Sequence, residues 1–286
     1  MQPATIAIVL VAAVAHAIWN TVSKYKRGDT VLFVWAYTCA STLLCVPIGV
    51  ALVLTGTGAL GWQLAAGSAV SAILHVAYSL TLQTGYDHAE LGVVYPIARG
   101  TGPVLTMLFA ILLLGERPTA IALLGAIVIV AGIAAVTGNP FRDDQQHRLR
   151  GVVLGGTTGA TIAAYTLWDS YSITSLHLAP VTYYAGTLLW QTLILAPRAL
   201  GQRARIRSAV RANAVPILTV AIFSPLAYIL VLNAMRTAPV ALVAPLRESS
   251  IVVGSLLAWR LFGEAHLARR LTGAAVVLTG IAAVSL

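Results

Sequence analysis

A chain of 286 residues of which 58% are hydrophobic and only 9% charged is no ordinary soluble domain, in which about a quarter of the residues are charged. Its formal charge of +9 lies largely in short links between apolar runs, where lysine and arginine fix orientation across a bilayer. Composition therefore argues for the lipid bilayer as partner and against nucleic acid.

Apolar runs of about 20 residues, each long enough to cross a hydrocarbon core as a helix, recur along the whole sequence. Spans are predicted near 4–23, 31–54, 62–84, 91–114, 119–138, 151–174, 180–200, 213–235, 239–262 and 268–285. The opening MQPATIAIVLVAAVAHAIWN lacks the basic n-region of a signal peptide and reads as a retained first helix. Cys39 and Cys45 share the second run and read as buried free thiols. Links such as KYKRGD, GERP and RALGQRARIRSAVR are too short to hold a sizeable soluble domain.

Several spans carry polar residues that are costly in lipid and that normally face a protein interior or an aqueous cavity. His16 lies near the centre of the first span, followed by Trp19 and Asn20; His75 and Tyr78 lie in the third, Tyr95 and Arg99 in the fourth, Trp168 and Asp169 in the sixth, Arg247 and Glu248 in the ninth. Arg99 with Glu248 reads either as an internal salt bridge or as part of a substrate or gating site, and a gate could be both. The two histidines read as packed polar contacts or as proton carriers. For Trp19 and Trp168, anchoring at the membrane interface competes with ligand stacking. Tyr78 and Tyr95 offer hydroxyls to a pathway or to the core.

Other residues read as structural. Gly151, Gly155 and Gly159 form a small-residue face suited to close helix contact. Pro96, Pro103, Pro225 and Pro245 can kink their spans. Glu116 and Glu264, at the ends of spans four and nine, read as holders of short interhelical turns. The sequence offers no metal ligand set, no phosphate-binding GxxxxGK[ST] loop and no sign of another cofactor.

The chain also aligns with itself. RGTGPVLTMLFAILLLGERPTAIALLGAIVIVAGIAAV from Arg99 matches RESSIVVGSLLAWRLFGEAHLARRLTGAAVVLTGIAAV from Arg247 without gaps, pairing Gly115-Glu116 with Gly263-Glu264, Gly125 with Gly273 and Gly132 with Gly280. HAIWNT echoes YTLWDS, and HVAYSL echoes PLAYIL. Each half then holds five spans, 1–140 and 141–286. Five is odd, so the halves enter the membrane from opposite sides, as inverted repeats do in secondary transporters. The fold class expected is all-α integral membrane, ten transmembrane helices in two inverted five-helix repeats.

These halves, each with a span ending in GE before a glycine-bearing final helix, resemble the EamA-like transporters of the drug/metabolite transporter superfamily over essentially the whole chain. HAIWN, VVYPIARG and APLRESS resemble a branch of permeases associated with phosphonate utilisation. The resemblance implies a basket with a central pathway formed mainly by spans 1, 3, 4, 6, 8 and 9, and alternating access. It also implies both termini inside, whereas the excess of basic residues in the odd-numbered links, including Lys24, Lys26, Arg27 and the Arg203–Arg211 cluster, places those links in the cytoplasm and both termini outside.

The expected function is secondary transport of a small polar metabolite, anionic or zwitterionic, across the inner (plasma) membrane. The substrate site is drawn from Arg99, Arg247, Glu248, Tyr95, Tyr78, Trp19, Asn20, Trp168 and Asp169, and proton coupling from His16, His75 or Glu248. The chain acts as a monomer or homodimer. An intramembrane enzyme or a non-transporting receptor or scaffold is the alternative; the former lacks a nucleophile-base pair in the sequence.

Overall fold

A computed structural model describes residues 1–23, 25–56, 60–88, 91–137, 145–253 and 267–285, and among them every regular element is helical. The helices are α1 (Pro3–Ser23), α2 (Thr30–Leu54), α3 (Trp62–His88), α4 (Leu91–Leu113), α5 (Ala120–Thr137), α6 (Gln145–Thr174), α7 (Pro180–Leu200), α8 (Arg203–Ala212), α9 (Ala214–Met235), α10 (Val240–Arg247) and α11 (Leu267–Ser285). Four of them, Pro3–Ser23, Thr30–Leu54, Trp62–Gly85 and Ala214–Met235, are by length and composition apolar enough to cross a membrane, and 97–113 and 120–132 are shorter apolar stretches. Helices α6 and α7 are as long, but threonine, serine, tyrosine and glutamine dilute their hydropathy. Large side chains such as Leu43, Leu112, Leu124, Leu218 and Leu278 are exposed on these helices. That is the pattern of a multi-pass membrane protein whose outer surface meets lipid.

Three boundaries differ from the sequence reading. Helix α6 begins at Gln145, inside the expected polar link, because QQHRLR is built from good helix formers. The link after α7 contains its own helix, α8, whose arginines 203, 205, 207 and 211 are exposed while Ile206 and Ala209 are less so. The expected ninth span is interrupted: α10 ends at Arg247, Glu248 and Ser249 form a turn, and the chain is helical again at 250–253. Pro245 lacks an amide to close the α-helical ladder. The backbone there uses shorter-range bonds, from Glu248 N–H to the Pro245 carbonyl, Ser249 to Leu246 and Ile251 to Glu248, the tighter 3₁₀ pattern.

Packing pairs helices from the two halves. α1 lies on α9, α3 on α6 and α7, α2 on α7, α4 on α6, and α5 on α11. Glycines set the closest approaches. A Cβ at Gly155 would stand 2.9 Å from the Val94 carbonyl and one at Gly159 would stand 3.0 Å from the Gly102 amide. Thus two of the three glycines on the predicted small-residue face seat α6 on α4. At the α5–α11 crossing, a Cβ on Gly132 would lie 2.8 Å from Val277 and 3.1 Å from the Gly273 carbonyl; one on Gly280 would lie 2.7 Å from the Gly125 carbonyl and 2.8 Å from the Ile129 amide. Gly132 faces Gly273 while Gly125 faces Gly280, so the two helices run antiparallel.

The GE motif has a local explanation. Gly115 adopts φ +67°, and the Glu116 amide donates back to the Ala110 carbonyl, the glycine-terminated cap that stops a helix sharply. This turn aims Glu116 at the start of α10, where its two carboxylate oxygens accept the amides of Val240 at 2.8 Å and Ala241 at 2.9 Å. Gly263 and Glu264 lie outside the described residues. Cys39 and Cys45 are free, partly and fully buried respectively.

Candidate functional site

The deepest polar cluster gathers three helices around one carboxylate. Arg99 on α4 is 2% exposed, Arg247 at the end of α10 is 3% exposed, and Glu248 just beyond it is 0% exposed. Arg99 Nη1 donates to Glu248 Oε2 at 2.8 Å. Arg247 donates to the other oxygen, Oε1, from Nη2 at 3.0 Å and Nε at 3.2 Å. The tight turn after Pro245 allows adjacent residues to meet in this way. Arg99 Nη2 also lies 2.8 Å from His16 Nε2 on α1. A guanidinium can only donate, so the imidazole nitrogen accepts. Burying such ions costs several kcal/mol each unless the contacts are close and well directed; here one carboxylate bonds two guanidinium groups, one on each oxygen.

Beside this cluster lies a second, built on Asp169. Its carboxylate, also 0% exposed, accepts the hydroxyls of Tyr183 at 2.7 Å and Tyr228 at 2.5 Å. His75 Nε2 stands 3.9 Å from it, beyond hydrogen-bond reach. His75 Nδ1 is 3.0 Å from the Ser71 carbonyl, and its ring stacks near Tyr165, with centroids 4.2 Å apart. Tyr165 in turn has the Arg247 guanidinium carbon 5.9 Å from its ring centre.

Between the clusters is a cavity of about 60 Å³, far below the roughly 300 Å³ at which pockets for drug-sized ligands begin. His16, Trp19, His75, Tyr78, Tyr165 and Arg247 are among its walls, and the cavity extends past Tyr37 and Ser41 of α2 and Gln191 of α7. It therefore points toward the end of the bundle where the basic link after α1 and helix α8 lie. That end is fastened by Asn213, whose side chain accepts the Arg27 amide at 2.8 Å and donates to its carbonyl at 2.9 Å. Among the described residues, the indole N–H of Trp19 and the side-chain amide nitrogen of Gln191 make no hydrogen bond.

The structure thus brings together Arg99, Arg247, Glu248 and His16, and places Tyr78, Trp19 and His75 on the same cavity. Asp169 reaches the cavity through Tyr228. Trp168 is directed elsewhere, donating to the Gly67 carbonyl at 2.9 Å; its indole is satisfied by the backbone. Asn20 is buried and is not among the cavity walls. The side chain of Tyr95 lies outside the described residues. Sequence reasoning missed Tyr165, Tyr184, Tyr228 and Gln191. A signal for some of them was present: Tyr165 and Asp169, like Ser224 and Tyr228, are four residues apart and share a helix face. Among the described residues no three metal-ligating side chains converge.

Residues 3–138 match the EamA-like transporter family, a family of drug and metabolite transporters of the membrane. No curated protein matches the chain. A solved structure, described only as the crystal structure of a protein, superposes with a TM-score of 0.76 at 15% sequence identity, over 99% of this chain and 96% of that one. At that identity the likeness is one of fold.

Proposed function

With the EamA-like transporter match of its first half as premise, we propose that the chain is a secondary transporter of a small polar metabolite, anionic or zwitterionic, working by alternating access in the plasma membrane. One observation carries the reading: two arginines that the sequence alignment pairs share a single buried carboxylate beside a small cavity lined largely by aromatic rings. A guanidinium offers a planar fork suited to carboxylate or phosphonate oxygens. The substrate's acidic group competes with Glu248 for the arginines, and Glu248 holds them when the site is empty. Exchange of partners at Arg99 brings His16 into the cycle, and with it a route for proton coupling.

The frame of this reading is ten spans in two inverted halves, 1–140 and 141–286. Supporting it are the antiparallel α5–α11 crossing and the exchange of packing pairs under the repeat, in which α3 on α6 corresponds to α9 on α1. A single chain then contains a whole pathway, so a monomer suffices. Lys26, Arg27 and the α8 arginines put the cavity's end of the bundle in the cytoplasm; labelling of cysteines introduced into α8 from outside intact cells would reverse that orientation.

The test is transport by purified protein in liposomes, with and without a proton gradient, across amino acids, organic acids and phosphonates. A fall in uptake of about tenfold or more in Arg247→Lys supports the reading. Uptake indifferent to pH and gradient removes proton coupling alone, and absence of uptake across the panel removes transport.

A further inference from the structure

The two histidines of the cavity wall differ in what a proton would meet there. His75 Nδ1 lies 3.0 Å from the Ser71 carbonyl, which can only accept, so Nδ1 carries a hydrogen whether the ring is neutral or charged. A further proton can then enter only at Nε2, and that nitrogen stands 3.9 Å from Oδ2 of Asp169. His16 is the opposite case. Its Nε2 accepts from Arg99 at 2.8 Å, so a proton arriving there would meet a guanidinium rather than a carboxylate.

Both oxygens of Asp169 accept phenols, Oδ1 from Tyr183 and Oδ2 from Tyr228, so neither carries a hydrogen. Oδ2 thus holds the Tyr228 hydroxyl and also faces His75 Nε2. An N–H⁺ formed at Nε2 closes on Oδ2 and competes with that hydroxyl for the same oxygen. Tyr228 lines the cavity as well, so the exchange reaches the cavity wall. Tyr165 of α6, Tyr228 of α9 and Tyr184 of α7 pack on the His75 ring with centroids 4.2, 5.1 and 6.2 Å away. Arg247, the cation near His75 at the end of α10, is bonded to Glu248. Tyr78 on the same helix, His16 of α1 and Tyr37 of α2 line the same cavity, and Arg99 of α4 is turned to His16 and Glu248.

Building on the transporter reading, we infer that His75 and Asp169 form the site that binds the coupling proton, taken from cavity water at His75 Nε2, and that Tyr228 carries its arrival to the cavity wall. A cavity of about 60 Å³ has room for water. His75 lines it whereas Asp169 does not, so water reaches the pair through the imidazole. His16 takes up a proton only once Arg99 has left it.

The test uses purified full-length protein in liposomes offered amino acids, organic acids and phosphonates, with the compound that the parent takes up most as probe. Uptake with and without an imposed proton gradient is compared in the parent, His75→Gln and Asp169→Asn. The gradient is expected to change uptake by the parent and to lose its effect in both variants. A parent that transports without regard to the gradient, or a variant that keeps the parent's response, overturns the proton site and leaves the transporter reading standing; a parent that takes up nothing removes both. If the variants carry no uptake at all, NMR of the parent with nitrogen-labelled histidines decides, His75 being identified by its absence from His75→Gln. The Nδ1–H tautomer is expected at about pH 8 and a doubly protonated ring at about pH 5; a neutral Nε2–H tautomer, or a ring neutral at both, overturns the site.

Discussion

The α5–α11 crossing and the arginine centre are both made by residues that the internal repeat pairs, yet they treat the pairing in opposite ways. At the crossing, Gly132 meets Val277 and Gly273, and Gly280 meets Ile129 and Gly125, so each contact has its mate. At the centre, Arg99 divides its donors between Glu248 and His16, whereas Arg247 gives two donors to one oxygen of its own neighbour. The position after Arg99 is Gly100 and the position after Arg247 is Glu248. Contacts at the crossing are reciprocal, and those at the arginine centre are not.

The sharpest way to break this comparison is Glu248→Gln. It leaves two buried guanidinium groups without their shared anion, and thermal melting of the detergent-solubilised protein should register a loss of about 3–5 kcal/mol, the usual result of removing one partner from a buried pair. A melting point equal to the parent's would mean that the arginines are neutralised elsewhere. Next in size, Arg99→Lys and Arg247→Lys keep the charge and lose the fork. Transport should fall in both by about tenfold or more, and further for Arg99→Lys, because one ammonium cannot reach two partners on different helices. Equal losses would make the centre more symmetric than its bonds. Gly132→Ala and Gly280→Ala test the other side. Each new methyl meets backbone below 3.0 Å, overpacking of the kind that costs about 1–3 kcal/mol. The two variants should destabilise alike, and unlike values would show that the crossing is not reciprocal. Smallest of all, Arg205→Lys on the exposed face of α8 should leave both melting and transport unchanged.

Much of this architecture is legible in the residues because membrane helices announce themselves by length and apolarity. The pairing of glycines at constant offset likewise anticipates a contact, since only close packing uses them so. The Arg99–Glu248 pair was readable too, as two ions at similar depth. What escaped was the break in the ninth span. Hydropathy dips at Arg247 to Ser250 within APLRESSIVV, but a dip alone does not say that the helix breaks, and only the missing amide of Pro245 hints that Arg247 and Glu248 can turn toward each other. The tyrosine walls escaped for a different reason: Tyr165 and Tyr184 come from different helices, and nothing local says that two such rings share a cavity. Trp19 lines the cavity, while Trp168, which the sequence aligns with it, gives its N–H to the Gly67 carbonyl.

Glu116 has a mechanical consequence. It joins the last turn of one helix to the first turn of another through a single planar group that receives two amides at once. Both bonds are short, and hydrogen bonds weaken steeply once direction is lost, so a modest shift of α10 releases the pair together rather than stretching one and then the other. The end of α4 and the start of α10 therefore travel as one body or separate outright, which makes this junction a snap fastener rather than a spring.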